Sequence, residues 1–548
     1  MMRYFLLINL MFLLSFIKTL HAQDKELENK DFFGETKWDP TLSDAIKISD
    51  NPKPDTIVTP APTLNYSIVP QQFYTAFEPG PIKAVKVKDE TISKLYQNYV
   101  KLGFGNYTSP YAELFVNNLR SKDYSIGAHL KHQSSAGQIN DYGPSGFSDN
   151  KVHLYGERYL PNYSIGAALT YNRNVVHFYG FDPDKYVFTE KEIKQRFNYV
   201  NANLNLNSRY LDKFRLHHTV KINYFNTADL FNASENELVV EGLASKSYLQ
   251  YIIGLAADES YISYAHDPIA VNRNIVNMSP SISLKQIRWD LSAGFKVAME
   301  SDSSHNAGHL YPYAHLKYSI IEKVLVFNGV LTGGLQKNNF RTFSSENPFI
   351  DGLLFYKNTN NKVDFTGELK TSISMNSTFS LGLNYKDMTD MALYVNTLPV
   401  QNKFQVIYDN AQMMNLHGEF SHQRNEKIRI VLKGDYFKYN TDKELKAWNK
   451  PSFQLSLSGQ YNLQNKISVK ADIFFIGDRF AKGFDALSNA YAITLHPVMD
   501  ANLGLEYRFT KLLSFFLNMN NLGGMRYYQW NNYPSQRVNV MTGITYSF

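Results

Sequence analysis

A chain of 548 residues is long enough for several soluble domains, but a single large barrel also uses such length, because every spanning strand takes one short segment plus a loop. Composition is more selective: 38 Tyr and 37 Phe against 4 Trp suit strands with one apolar face and one wet face. The formal charge of +6 is spread among Lys, Arg, Asp and Glu without clusters, which leaves no nucleic-acid footprint, and the lack of Cys excludes disulfides and a lipidated N-terminus.

Met1-Met2-Arg3, an apolar stretch from Tyr4 to Ile17 and Leu20-His21-Ala22 follow the order of a secretory signal, with cleavage expected after Ala22. Beyond residues 1–22 no segment approaches the roughly 18 consecutive apolar residues of a membrane helix, so any spanning falls to strands. Residues 23–95 carry Pro52, Pro54, Pro60, Pro62, Pro70, Pro79 and Pro81 with little alternation, which predicts an extended periplasmic leader. Its short apolar pieces, Leu64 to Val69 and Phe73 to Phe77, suit docking in a barrel lumen or on a protein partner; a disordered spacer is an equal alternative.

From Tyr96 to Phe548 the hydrophobic period becomes two. Trp289, Leu291, Ala293, Phe295, Val297 and Met299 fall on one face, and Asp290, Ser292, Gly294, Lys296, Ala298 and Glu300 on the other. Ile467, Val469, Ala471, Ile473 and Phe475 separate in the same way from Ser468, Lys470 and Asp472, and Leu503, Leu505 and Tyr507 from Glu506 and Arg508. Strands are predicted to begin near 97, 110, 124, 151, 163, 197, 214, 236, 248, 276, 288, 309, 323, 362, 377, 402, 427, 451, 466, 498, 511 and 536. The expected fold is therefore all-β: a transmembrane antiparallel barrel of about 22 strands, seated in outer-membrane lipid with both termini periplasmic. Tight turns such as Pro161-Asn162 and Asn425-Glu426 alternate with long loops near 136–150, 174–195, 338–360 and 479–496, as short periplasmic turns and long external loops require. A soluble sandwich would have to bury the aromatic faces in pairs, and an open sheet would leave aggregating edges.

Lys296, Glu300, Lys433, Asp435, Lys470, Asp472, Glu506 and Arg508 are the candidate lumen-lining charges. Mutual satisfaction across a wide interior is the commoner role of such residues. Tyr163, Tyr171, Tyr385, Tyr507 and Phe548 are candidates for the interfacial girdle. The closing strand alternates through Val538, Val540, Ile544, Tyr546 and terminal Phe548, which resembles the signal by which outer-membrane barrels are recognised for insertion.

The chain further resembles the barrel of TonB-dependent receptors, and more closely a Bacteroidota-type group described as TonB-dependent receptor-like. The resemblance covers about residues 40–548 and rests on several stretches: Lys94-Leu95-Tyr96 with Gly103-Phe104-Gly105-Asn106-Tyr107-Thr108-Ser109-Pro110, then Ser145 to Asn150 and Tyr171 to His177. Later stretches are Leu445-Lys446-Ala447-Trp448, Asp500 to Arg508 and Trp530-Asn531-Asn532-Tyr533-Pro534. In that family a folded plug sits inside the barrel and is considerably longer than residues 23–95, so the resemblance implies a barrel without its plug.

Catalytic and metal chemistry find no support in the sequence. His129/His132 and His217/His218 have odd spacings that put each pair on opposite faces of a strand. Gly143-Pro144-Ser145-Gly146 lacks a nucleophile elbow and reads as a turn, and Asp182-Pro183-Asp184 as a solvated loop. No cofactor, metal or catalytic residue is expected. The leading expectation is a non-enzymatic accessory or scaffold of an outer-membrane complex for protein assembly or envelope biogenesis, with partners reached through residues 23–95. The alternative is an outer-membrane transporter or gated channel, and a rim hydrolase comes third. A barrel this wide needs something to fill it: the leader, an infolded loop or another protein.

Overall fold

A computed structural model describes residues 96–119, 121–302, 305–484 and 489–548; the expected signal and leader lie outside the described residues. Alternating polarity over so many segments leaves each strand one face for a nonpolar surrounding and one for water, and only ring closure pairs every edge. Twenty-two strands accordingly form one sheet in which each pairs antiparallel with the next along the chain. They begin with β1 Asn98–Gly105, β2 Ser109–Asn117, β3 Tyr124–Ser135, β4 Phe147–Tyr159, β5 Tyr163–His177, β6 Lys194–Ser208, β7 His217–Ala228 and β8 Ser234–Tyr248. Next come β9 Tyr251–His266, β10 Ile269–Lys285, β11 Trp289–Asp302, β12 Asn306–Ile321, β13 Leu325–Gln336, β14 Thr359–Ser374, β15 Ser377–Asn396 and β16 Phe404–Arg424. The wall ends with β17 Ile428–Thr441, β18 Phe453–Leu463, β19 Ile467–Ile476, β22 Val498–Arg508, β23 Leu513–Asn520 and β26 Asn539–Ser547. Two hairpins, β20 Arg479–Phe484 with β21 Ala490–Leu495 and β24 Tyr528–Trp530 with β25 Tyr533–Pro534, decorate the last two long loops. The short helices are α1 Glu190–Ile193 and α2 Phe340–Glu346.

Closure joins β26 to β1 in a register that sets Ile544 opposite Leu102 and Gly543 opposite Gly103. The chain's last residue takes part, since the Phe548 amide donates to the Asn98 carbonyl at 3.0 Å. Outward residues continue from strand to strand: Leu291 pairs with Leu316, Leu383 with Leu416, and Leu432 with Leu457. Leu291, Leu316, Leu383, Leu416, Leu432 and Leu457 are all exposed, an apolar wall that lipid covers in a spanning barrel.

Every predicted strand is present, and most begin within three residues of the expected position. The largest displacement is β10, which starts at Ile269 rather than 276; its first turn of ladder carries Asn272, Arg273 and Asn274, and this polar run hides the alternation. β4 likewise starts at Phe147 rather than 151, through polar Ser148, Asp149 and Asn150. At one end of the barrel the connections are short, as at Pro161-Asn162 and Asn425-Glu426; the long ones all lie at the other end, beside short ones such as Asp267-Pro268 between β9 and β10. β15 and β16, at 20 and 21 residues, are about twice the 9–11 residues a spanning strand needs, so they carry the wall well past the apolar belt on the loop side.

Candidate functional site

The connection from β13 to β14 is too long for a turn and too apolar to stay in water. Phe340, Phe343, Phe349, Ile350 and Leu354 are buried, and they are buried by folding inward across the loop-end mouth. Asn339 starts α2, its side chain accepting from the Thr342 amide at 2.9 Å. The next backbone amides meet the wall: Phe340 and Arg341 donate to the two carboxylate oxygens of Glu235 on β8 at 2.8 and 3.0 Å. Glu237, two residues on and therefore on the same inner face, accepts from Arg341 Nη2 at 2.7 Å, Lys337 Nζ at 3.2 Å and Asn339 Nδ2 at 3.0 Å. Glu235 is 1% exposed and Glu237 0%. Carboxylates so deep persist only when paired and hydrogen-bonded, and here the infolded loop supplies every one of those partners except Ser260.

Past α2 the loop reaches the far side of the mouth. Tyr199 on β6 donates to Ser344 at 3.0 Å, and Tyr394 on β15 donates to Glu346 at 2.8 Å, which Lys450 also approaches at 3.1 Å. Ile350 bridges Phe404, with the Phe404 amide donating to the Phe349 carbonyl at 2.9 Å. Tyr264 on β9 donates to the Gly352 carbonyl, and Tyr408 on β16 to that of Phe355. The Phe349 ring stacks on Tyr533 with centroids 3.6 Å apart, which ties this loop to the one before β26. An aromatic core thus sits in the mouth itself, drawing on β6, β9, β15, β16 and three other loops.

Two cavities flank this cap. One of about 500 Å³ lies among loop residues, between Tyr142, Phe181, Tyr186, Asp182 and Gln401. The other, about 510 Å³, lies against the wall, between Tyr199, Tyr179, Phe349, Trp530, Glu346 and Asp149. Both combine rings with hydrogen-bonding groups, as solute sites do. In the loops, burial pushes the Asp229 carboxyl above the usual carboxylate range despite hydrogen bonds from Gln195, Phe231 and Ala233. Burial also raises the Tyr356 phenol, whereas Lys185 beside Asp182 holds that exposed carboxyl below its ordinary value.

The predicted lumen residues all lie on the strand face opposite the exposed apolar set. Glu300 belongs to the cap's surroundings, accepting from Asn358 of the infolded loop at 2.7 Å and lying 3.0 Å from His309. Lys296 lies beside Gly334 near the root of the same loop. Lys433 pairs with Glu419 at 3.0 Å, and with Lys470 and Asp472 lines a cavity of about 390 Å³ on the wall; Asp435 accepts from Asn415. Glu506 and Arg508 stand apart, at the turn end beside Tyr96 and Tyr99. Tyr163, Tyr171, Tyr385 and Tyr507 share the outward face with Ile544 and Tyr546, while Val538 precedes β26 and offers its carbonyl to Asn106 at 2.8 Å. His129 and His132 do point to opposite faces, one to Glu113 and the other to Asn150, and the described residues contain no cluster fit for a metal. The sequence places 338–360 among the long external loops without indicating that it is the one that turns inward, and it does not mark Glu235 or Glu237. The available signals were two acids two apart in a weakly alternating strand and a long loop unusually rich in Phe.

No protein-family model matches the sequence, and no curated protein does. Solved structures do match. The FrpB iron transporter of Neisseria meningitidis is 10% identical, with a TM-score of 0.65 over 83% of this chain and 82% of that one. The siderophore receptor PirA of Acinetobacter baumannii is also 10% identical, with a TM-score of 0.65 over 84% and 81%. The ferripyoverdine receptor of the outer membrane of Pseudomonas aeruginosa is 13% identical, with a TM-score of 0.60 over 83% and 72%. The fold is that of the outer-membrane β-barrels it matches. This agrees with the barrel that the sequence resemblance implied.

Proposed function

We propose that the protein is an outer-membrane transporter or gated receptor barrel for a small solute, and that residues 337–358 hold its mouth closed. The single observation that carries this reading is the infolded loop, latched to buried Glu235 and Glu237 and lining a cavity of about 510 Å³ through Ser344, Glu346 and Phe349. A latch of ion pairs and short hydrogen bonds suits a segment that must hold and release, since such contacts re-form in one geometry. The structural neighbours named as transporters and receptors favour transport over the scaffold role that the sequence placed first. In this reading residues 1–22 direct export, residues 23–95 are a periplasmic leader in place of a full plug, both termini are periplasmic, and residues 96–548 form the barrel in outer-membrane lipid. Lys433, Lys470 and Asp472 line the route below the cap, and the alternating residues from Val540 to Phe548 guide insertion.

The test is outer-membrane permeability in cells that produce either the full chain or a variant lacking residues 338–357. The variant is expected to sensitise cells to a bulky hydrophilic antibiotic such as vancomycin, which an intact outer membrane excludes. Unchanged resistance at equal amounts of folded barrel would refute the gate.

A further inference from the structure

The turn end of the barrel is not uniform around its rim. Where Asn425-Glu426 and Asn465-Lys466 make ordinary polar tips, five consecutive turns from β6 to β15 present large apolar side chains to the outside. Ile287 is 90% exposed, Met375 98% and Leu249 75%, with Leu211 exposed in the turn before them and Val324 in the turn between Ile287 and Met375. Leu249 is the most telling. It occupies the first position of the two-residue turn between β8 and β9 at φ +53°, a left-handed conformation that favours Gly or Asn and penalises Leu. Neither turn geometry nor packing within the barrel accounts for these side chains.

Two further observations indicate what covers them. Tyr248, Tyr251, Ile320 and Ile373 connect the tips without a break to the exposed apolar wall of the same strands. The tips also alternate with exposed cations, among them Lys213, Arg215, Lys246, Arg288 and Lys323, against Asp212 and Glu322. Apolar anchors interleaved with Lys and Arg fit the boundary between acyl chains and anionic headgroups.

We infer that the five turns between β6 and β15 form a lipid-anchoring crescent, whose tips enter the headgroup boundary of the inner leaflet and whose cations pair with anionic phospholipid. The inference rests on the outer-membrane reading and adds that the barrel sits deeper on this side than on the side of β16 to β19.

The chain's lack of Cys makes the test direct. Single variants Leu211→Cys, Ile287→Cys and Met375→Cys carry an environment-sensitive fluorophore in barrels reconstituted into vesicles of phosphatidylethanolamine and phosphatidylglycerol. Leu381→Cys on the apolar wall and Asn425→Cys at a polar tip serve as references. The three tip labels are expected to be quenched by brominated lipid, like the Leu381 label, and several-fold less by iodide than the Asn425 label. Replacing phosphatidylglycerol with phosphatidylcholine should reverse much of that difference. Tips as open to iodide as Asn425, with Leu381 lipid-quenched, overturn the crescent while leaving the membrane reading intact. Tips shielded in native membranes but not in vesicles reassign the surface to a protein and overturn the lipid partner. A Leu381 label open to iodide overturns the outer-membrane reading itself. Lipid quenching unaffected by the loss of phosphatidylglycerol overturns the role of the cations.

Discussion

Truncation of Glu237 to Ala should loosen the mouth far more than its single position suggests. Its carboxylate is fully buried and receives Arg341 at 2.7 Å, Asn339 at 3.0 Å and Lys337 at 3.2 Å. Breaking a buried ion pair by removing one partner costs about 3–5 kcal/mol. The Lys337 and Arg341 side chains are each 29% exposed and rehydrate in part, which places the expected cost near the lower end, about 3 kcal/mol. At about 1.4 kcal/mol per factor of ten, the opening equilibrium of the infolded loop should rise by roughly two orders of magnitude. Hydrogen exchange followed by mass spectrometry reads this directly: amides between 337 and 350 should lose protection by that factor, while those of β11 and β12 stay unchanged. Glu237→Gln, which keeps an acceptor for Asn339 but loses the charge, should fall between. Unchanged protection in Glu237→Ala would show that the aromatic core holds the loop without the latch, and the reasoning would fail.

Three further outcomes follow from the same geometry. Phe349→Ala removes the ring stacked on Tyr533 and should cost about 3–5 kcal/mol of cap packing, seen as raised exchange in both the infolded loop and the loop before β26. At the seam, a Cβ at Gly543 would overlap the Leu102 carbonyl oxygen, so Gly543→Ala should obstruct pairing of β26 with β1; a cost of about 1–3 kcal/mol or more is expected, measured as a lower yield of heat-modifiable folded barrel in gels. Asp229 has its carboxyl raised by burial, so the folded protein holds that proton more tightly than the unfolded chain. Stability from this group therefore grows as pH falls through its folded pKa and is lost above it. The melting temperature of the wild type relative to Asp229→Asn should rise on acidification from neutral pH, and a pH-independent difference would refute the assignment.

The wall was legible because lipid and water impose opposite demands on alternate residues, and the period of two survives wherever both are present. It fails where a strand leaves the membrane: at the start of β10 the outward positions Asn272 and Asn274 are polar, while Ile269 packs inward against the aromatic core and Arg273 lies over the Tyr356 ring. The mouth was illegible for a related reason. Phe340, Phe343 and Phe349 in a long loop do not reveal which way the loop turns, because their partners Tyr264, Phe404 and Tyr533 are distant in sequence. Glu235 and Glu237 lie two apart in a weakly alternating strand, and only the loop brought down upon them gives them a role. The apolar turn tips were visible in the sequence, yet they stand out only once the ring places the turns of Leu249, Ile287 and Met375 side by side.

Conductance in planar bilayers tests the central claim most directly, by comparing the purified full chain with the variant lacking residues 338–357. The account predicts a closed or rarely opening wild type and a variant with large, long-lived openings. Equal conductance in the two, with both folded and inserted, would contradict the assignment of the infolded loop as the gate.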